Sequence, residues 1–467
     1  MKRSATGSGP YQFRRLLGPA ASPLEAYETL YGPDRFGFLY ESLETSGERG
    51  RYSFLGGRPR QIVRSQGRHV TIESRTGRRH ARGNPFTLLR ALLDKAGPHP
   101  RLKPFPGGWV GYAGYDAVRW FEDVPANSAD ELEVPDVFFM MPDEIVVYDH
   151  AEQTCGIVLY HQDRRRLAEI VSVIAAGRVT HPMPIQSRIG PLSSNCTQAA
   201  FGRMVERAKH YIYAGDIFQV VLSQRFSCRI QSPALAVYRA CRITNPSPYM
   251  YYLNLNGLHI IGSSPEILVR LTRGEVGIRP LAGTRPRGRD AAEDKRLEQE
   301  LRGDAKERAE HVMLVDLARN DIGRVCDYGS VRPLSLMDVE KYSRVMHIVS
   351  DVRGRLSPGR DAFDLFGATF PAGTVSGAPK IRAMEIIDGL EPCRRSIYAG
   401  AIGYVGLDGN MDMCIAIRNI IIKEGRAYIQ AGAGIVCDSN PLREYEETMN
   451  KARALFSAIE LGGSGWL

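Results

Sequence analysis

The sequence predicts an α+β fold built on large antiparallel sheets. Three observations carry this. Strand-like and helix-like patterns follow one another in mixed order rather than in strict alternation. Of 467 residues, 43% are hydrophobic, enough for a sizeable core in one interwoven domain or in two or three ordinary ones. No apolar run approaches a membrane span, because the best candidates are broken by Arg418 or by the Gly and Pro residues between Phe366 and Pro379.

Taken in order, the first residues, MKRSATGSGPYQFRRLLG, carry basic side chains without an apolar signal core and read as a frayed tail of a cytoplasmic protein. Residues 51–73 read as short strands separated by Gly-containing turns. Asn84 and Pro85 then cap a helix carrying Leu88, Leu89, Leu92 and Leu93. GGWVGYAGY, VFFMM and EIVVYDH are strand patterns, and residues 163–179 read as a helix. The Pro- and Ser-rich HPMPIQSRIGPLSSN is a linker, dividing an N-terminal portion over 1–180 from a second portion over 196–467. Thr197 caps a helix with Phe201, Met204, Val205, Ala208 and Ile212 on one face, ended by Gly215. DIFQVVLSQRF is a strand, and the two prolines of NPSPYMYYLNL set an extended entry into another.

The formal charge of +9 is concentrated in arginines such as Arg58, Arg60, Arg64, Arg68, Arg75, Arg78, Arg79 and Arg82. Interleaved with strand residues, they read as a solvated basic hairpin face or as an attractor of anions or nucleic acid. No helix-turn-helix, RNP motif or zinc spacing supports a nucleic-acid reading, which rests on charge alone. Eight cysteines without a CxxC pair exclude a disulfide framework and a structural zinc site.

The chemistry concentrates in two acidic helices. In KERAEHVMLVDLARND, Glu307 and Glu310 continue at helical spacing the line of Leu314 and Leu317, so two carboxylates share a face with core residues. NPLREYEETMNKARALF repeats the spacing, with Tyr445, Met449, Ala452 and Phe456 on one stripe and Glu444, Glu447 and Lys451 beside it. A buried carboxylate pair is costly unless neutralised. Two such pairs from distant parts of the chain point to one hard cation, such as Mg²⁺, held between two helices. GTVSGAPK and AGAGIVCDS lack Walker A or dinucleotide spacing. Gly432 and Gly434 follow the strand pattern AYIQ, where they either cradle a carboxylate with their N–H groups or allow close backbone packing.

Taken together, GGWVGYAGYD, GDIFQVVLSQR, NPSPYM, SSPEILV, PLAGTRPRG, KERAEHVMLVDLARND, FPAGTVSGAPK, AGAGIV and EYEETMNKA resemble, over nearly the whole chain, the chorismate-utilising enzymes, and closely their anthranilate-forming members. The resemblance implies the chorismate-binding enzyme fold, two intertwined portions whose antiparallel sheets pack face to face with helices outside. It implies Glu310 and Glu447 as Mg²⁺ ligands, with Glu307 and Glu444 as further or water-mediated partners. It implies that Lys451, Arg418, Tyr398 and the amides around Gly432 and Gly434 meet substrate carboxylates, and that Thr284 and Thr374 line the ring site. Glu266 resembles the general acid that assists loss of the C4 hydroxyl, and His347 the histidine associated with pyruvate elimination.

Two positions separate reactions within the family. Relatives that add water to the ring resemble one another in a lysine where this chain has Gln219. Aminodeoxychorismate synthases, the alternative assignment, commonly carry a lysine where this chain has Ala282. The resemblance therefore implies ammonia attack at C2 of chorismate, the first step towards tryptophan, with a separate glutamine amidotransferase subunit supplying ammonia in a hetero-oligomer. None of the eight cysteines lies in the G-x-C-x-G context of a glutaminase. It further implies an L-tryptophan inhibitor pocket from Leu39, Tyr40, Glu41 and Ser42 with the NPSPYM segment, including Pro248, Tyr249 and Met250. Tyr40 departs from the usual leucine there.

Overall fold

The computed structural model describes residues 11–43, 50–94, 102–177, 189–342 and 345–463. Among them, 22 strands join through antiparallel ladders into one hydrogen-bonded network, with helices packed against it. The α+β class and the antiparallel pairing agree with the sequence. The sheets are not separable, because strands far apart in the chain pair with one another: Phe36–Glu41 lies along Tyr249–Leu255, and Gly108–Ala113 along Ala401–Gly406. One apolar cluster accordingly holds Val63, Trp109 and Phe139 together with Val269, Phe366 and Met413. This is the intertwining that the resemblance implied. The expected linker lies largely outside the described residues; its last part pairs with the strand Gln219–Arg229 through Ser193–Ser194.

Local signals set most elements. The Asn84 side chain accepts from Phe86 N at 2.9 Å, capping the helix Pro85–Asp94. Leu89 of that helix is fully buried, and its carbonyl accepts the buried Trp109 indole N–H at 3.0 Å. Thr197 caps the helix Gln198–Tyr213 as expected, and Asp163 caps Arg164–Ala176, inside the stretch expected to be helical. Beyond the second, Gly215 turns the chain at φ +81°.

Three expectations change. Part of the N-terminal tail, Gln12–Leu17, is a strand along Thr154–Leu159. The short strands expected over 51–73 are one long strand, Tyr52–Gln66, followed by His69–Ser74. A Cβ on Gly56 would stand 2.3 Å from the Glu144 carbonyl and 2.7 Å from the Phe38 ring, so this glycine serves close packing and does not turn the chain. Likewise VFFMM and EIVVYDH form one strand, Val137–Asp149, running through Pro142. Pro142 faces Pro59 where the ladder register shifts, a bulge at which a missing N–H is tolerated.

Candidate active site

The two acidic helices come together at one site, the candidate cleft, where Glu310 on the first feels the charge of Glu447 on the second. In Ala305–Gly323, the Asp304 side chain accepts from the N–H groups of Lys306 and Glu307 and fixes the first turn. His311, Leu314, Val315, Ala318 and Ile322 are buried, leaving Glu307 and Glu310 half-buried at the edge of that face. In Pro441–Gly463 the buried line runs through Thr448, Ala452, Leu455 and Ile459. That stripe differs from the expected one: Tyr445, Met449 and Phe456 are only partly buried, with Tyr445 meeting Phe201 edge-on at 6.0 Å. Glu444 is half-buried, while Glu447 and Lys451 face solvent at the cleft mouth, with side chains 48% and 50% exposed. The second pair is thus less inward than its spacing predicts.

The acids nonetheless feel one another. Burial pushes Glu310 and Glu444 above the usual carboxylate range; Glu307 and Glu447 repel charge on the first, and Glu447 repels charge on the second. Glu310 accepts from the Gln219 amide at 3.4 Å, Glu307 lies 3.5 Å from Arg285, and Glu447 lies 2.7 Å from Lys451. Among the described residues no three Asp, Glu, His or Cys side chains are grouped so that they could hold a metal ion. The donor type itself, carboxylate oxygens from two helices with Glu310 and Glu444 raised by burial and by neighbouring acids, suits a hard divalent cation. Arg285, which also reaches Glu300 and Asp304 at 2.9 Å each, was not singled out by spacing. The signal available was the arginine-dense loop ahead of the acids.

The floor is the strand pair Gln219–Arg229 and Arg426–Ile435. Gly432 and Gly434 lie inside the second strand, not after it as the sequence suggested. The Gly432 carbonyl accepts from Lys451 Nζ at 2.9 Å, so this residue's peptide groups face away from the neighbouring strand, and alternation gives Gly434 the same direction. A Cβ on Gly432 would stand 2.7 Å from the Tyr398 hydroxyl, and one on Gly434 2.7 Å from Gln219 Nε2. Close packing requires Gly432, whose Cβ would also meet the Leu222 carbonyl at 2.9 Å, while Gly434 leaves room for the end of the Gln219 side chain; Tyr398 and Gln219 thus both lie against this strand edge.

Glu266, Thr374 and Arg418 form a second group, linked through the Glu266 carboxyl. Glu266 is 8% exposed, and burial pushes its carboxyl from 4.5 up to about 8, with Thr374 and Arg418 pulling it back. Arg418 adopts φ +50°, a conformation that side-chain-bearing residues avoid and that is held where the surroundings demand it. Its carbonyl accepts from Ser263 N at 3.1 Å. The charge of Arg418 also reaches His347, whose pKa burial lowers. His347 Nδ1 stands 2.9 Å from the Gly283 carbonyl and 3.1 Å from the Thr284 hydroxyl. A carbonyl can only accept, so Nδ1 carries the proton and Nε2 keeps its lone pair. Ala282, Thr284 and His347 belong to paired strands with a bulge between Ala282 and Thr284. Tyr398 is buried, which pushes its hydroxyl up to about 12 and keeps it a neutral donor. The cleft thus combines a protonated carboxyl, a neutral imidazole, cations and a carboxylate cluster.

Ser42, Pro248, Tyr249 and Met250 lie apart from this cleft and line, with Tyr40, a cavity of about 780 Å³. The expected meeting of the two segments has a simple cause, since Glu41 pairs with Met250 in the ladder. Pro265 and Ile267, on either side of Glu266, line the same cavity.

Comparison with known proteins assigns the chain to a family. A model of the chorismate binding enzymes matches residues 46–457. Anthranilate synthase component 1 of Streptomyces coelicolor is 47% identical over 466 residues, covering 96% of this chain and 88% of that protein. Its counterpart from Thermus thermophilus is 45% identical, covering 98% and 99%. The crystal structure of anthranilate synthase component I from Streptococcus pneumoniae superposes with a TM-score of 0.79 at 38% identity, covering 94% of this chain and 98% of that one. The menaquinone-specific isochorismate synthase of Escherichia coli shares the fold, with a TM-score of 0.71 at 20% identity, covering 96% and 94%. With its motifs gathered around one cleft and the family model running across both halves, the chain belongs to the chorismate binding enzymes.

Proposed function

We propose that this chain is the synthase component of an anthranilate synthase, converting chorismate and ammonia to anthranilate, pyruvate and water in tryptophan biosynthesis. The observation that carries the reading is Glu266, a buried carboxyl that holds its proton near neutral pH beside Thr374 and Arg418. Lys451, Arg418, Tyr398 and the amide edge at Gly432 and Gly434 receive the substrate carboxylates. As ammonia attacks C2, Glu266 donates its proton to the departing C4 hydroxyl. Thr284 orients His347, whose Nε2 lone pair serves the later elimination of pyruvate. Glu310 and Glu447, with Glu307 and Glu444, would hold Mg²⁺, which supplies positive charge against the ring carboxylate. Gln219 and Ala282 leave both positions where relatives carry lysine to an uncharged side chain, favouring ammonia as nucleophile and the ortho product.

Ammonia is assigned to a separate glutamine amidotransferase subunit in a cytoplasmic hetero-oligomer. No described helix is long and apolar enough to cross a membrane. Seven of the eight cysteines are buried, and Cys437, the exposed one, lies in no nucleophile elbow. The purified chain with Mg²⁺ should form anthranilate, read by its fluorescence, from chorismate and ammonium but not from glutamine. A para-substituted aminobenzoate product, or turnover of glutamine free of ammonia, would overturn the assignment.

Lys451→Ala tests the carboxylate contact. Because Lys451 is half exposed, solvent screens its charge, and the expected loss in kcat/KM is about tenfold, about 1.4 kcal/mol. That lies below the roughly 3–5 kcal/mol of a broken buried pair. A change under about twofold in steady-state kinetics would return Lys451 to the surface.

The cavity at Ser42 and Met250 is the proposed L-tryptophan site, and Pro265 and Ile267 give an occupant there a direct contact with the segment that carries Glu266. Tryptophan should inhibit the wild type and raise its melting temperature. Ser42→Leu should abolish both effects while sparing turnover. No inhibition and no thermal shift at saturating tryptophan would remove the site.

A further inference from the structure

Behind the cleft, and outside the motifs that mark it, one buried ion pair joins three of its parts. Arg395 is 2% exposed and Glu391 5%. Arg395 Nε donates to Glu391 at 2.9 Å, and Nη2 donates to the same carboxylate at 2.6 Å. Nη1 donates to the Val375 carbonyl, next to Thr374, and Nη2 also to the Val221 carbonyl, each at 2.6 Å. Val221 pairs with Gly434. Glu391 in turn accepts from Ser223 N at 2.7 Å and from its hydroxyl at 2.8 Å, and Ser223 pairs with Gly432. The guanidinium lies 4.7 Å from the ring centroid of Tyr115 and 5.6 Å from that of Tyr398. Ser396 and Ala399, flanking Tyr398, take φ +52° and +62°. Such backbone persists where its surroundings over-determine it.

A buried ion pair is weak evidence of stability, since packed apolar residues often serve as well. What this pair supplies is geometry: one planar fork reaches the turn after Thr374, the strand facing the glycine edge, and the ring of Tyr398. We infer that Arg395, held by Glu391, is a positioning residue that sets Tyr398 and the Thr374 turn against the substrate; this rests on the reaction proposed above.

The test compares wild type, Arg395→Lys, Glu391→Gln and Arg166→Met in steady-state turnover of chorismate with ammonium. Arg166 and Glu144 form an equally buried pair in the N-terminal portion, at 2.9 Å. Arg395→Lys keeps the charge and loses the fork; its KM should rise about tenfold with kcat within about threefold, because carboxylate binding is what is misplaced. Arg166→Met should lower the melting temperature and leave KM within about twofold. Should Arg395→Lys fail to fold, Glu391→Gln should still raise KM about threefold. An unchanged KM in folded Arg395→Lys or Glu391→Gln, or an equal rise in Arg166→Met, overturns the inference. Absence of chorismate turnover by the wild type overturns the reaction instead; the chorismate-induced thermal shift, expected in wild type and Arg166→Met but reduced in Arg395→Lys, then decides the positioning.

Discussion

Glu310→Gln should eliminate Mg²⁺-dependent turnover, lowering kcat/KM by at least about 100-fold, since even partners outside the ligand shell cost roughly 10–100-fold. The amide keeps the shape and loses the charge that holds a hard cation. Burial raises the pKa of Glu310, and Glu307 on its own helix and Glu447 on the other acidic helix act in the same direction. Removing its charge therefore relieves repulsion in the metal-free protein, so the variant should melt no lower than wild type without Mg²⁺. Adding Mg²⁺ should raise the melting temperature of the wild type and leave that of Glu310→Gln unmoved. This thermal comparison reads metal binding without relying on turnover. A variant that keeps both the Mg²⁺ shift and near-normal activity at limiting Mg²⁺ would remove Glu310 from the metal site.

The acids themselves were legible in the sequence because helical spacing is local: Glu307 with Glu310 and Glu444 with Glu447 could be read at i,i+3 without knowing the fold. Their depth was not. Spacing placed both pairs inward, yet Glu447 and Lys451 stand at the mouth, because the burial of Pro441–Gly463 is set by the strands and helices it meets and runs through Thr448. Glycines misled in the same way. Gly56 signals a turn in isolation, while the clash its Cβ would make with the Glu144 carbonyl belongs to a strand 88 positions away. By sequence Gly432 lies beyond a strand end, and its reason, room for the Tyr398 hydroxyl and the Leu222 carbonyl, is likewise non-local. The strand Gln12–Leu17, hidden in a basic tail, is ordered by Thr154–Leu159 and not by its own composition. Caps such as Asn84 and Thr197 are legible because a cap and its N–H partners lie within one turn of chain.

Glu266→Gln should lower kcat by about 10²–10⁴-fold, the usual worth of a positioned general acid, while leaving KM for chorismate nearly unchanged. Burial in the cleft is the main cause of its raised pKa, from 4.5 to about 8, which leaves it mostly protonated at neutral pH. Activity should therefore carry a basic limb: with free ammonia held constant, kcat/KM should fall as pH passes about 8 and Glu266 ionises. Holding free ammonia constant matters because its supply rises with pH and would otherwise mask the fall. The same shift fixes a stability effect of definite sign. The folded state binds this proton more tightly than the unfolded chain, so the stability it contributes is complete below pH 4.5 and is lost as pH rises through about 8. Glutamine cannot ionise, so the variant should lose both the basic limb and that part of the pH-dependent destabilisation. Thermal melting of wild type and variant between pH 5 and pH 9, alongside the rate profile, checks the two together. A wild-type profile flat through pH 8 at constant ammonia, or a Glu266→Gln variant that keeps the limb, would assign the proton donor to another group.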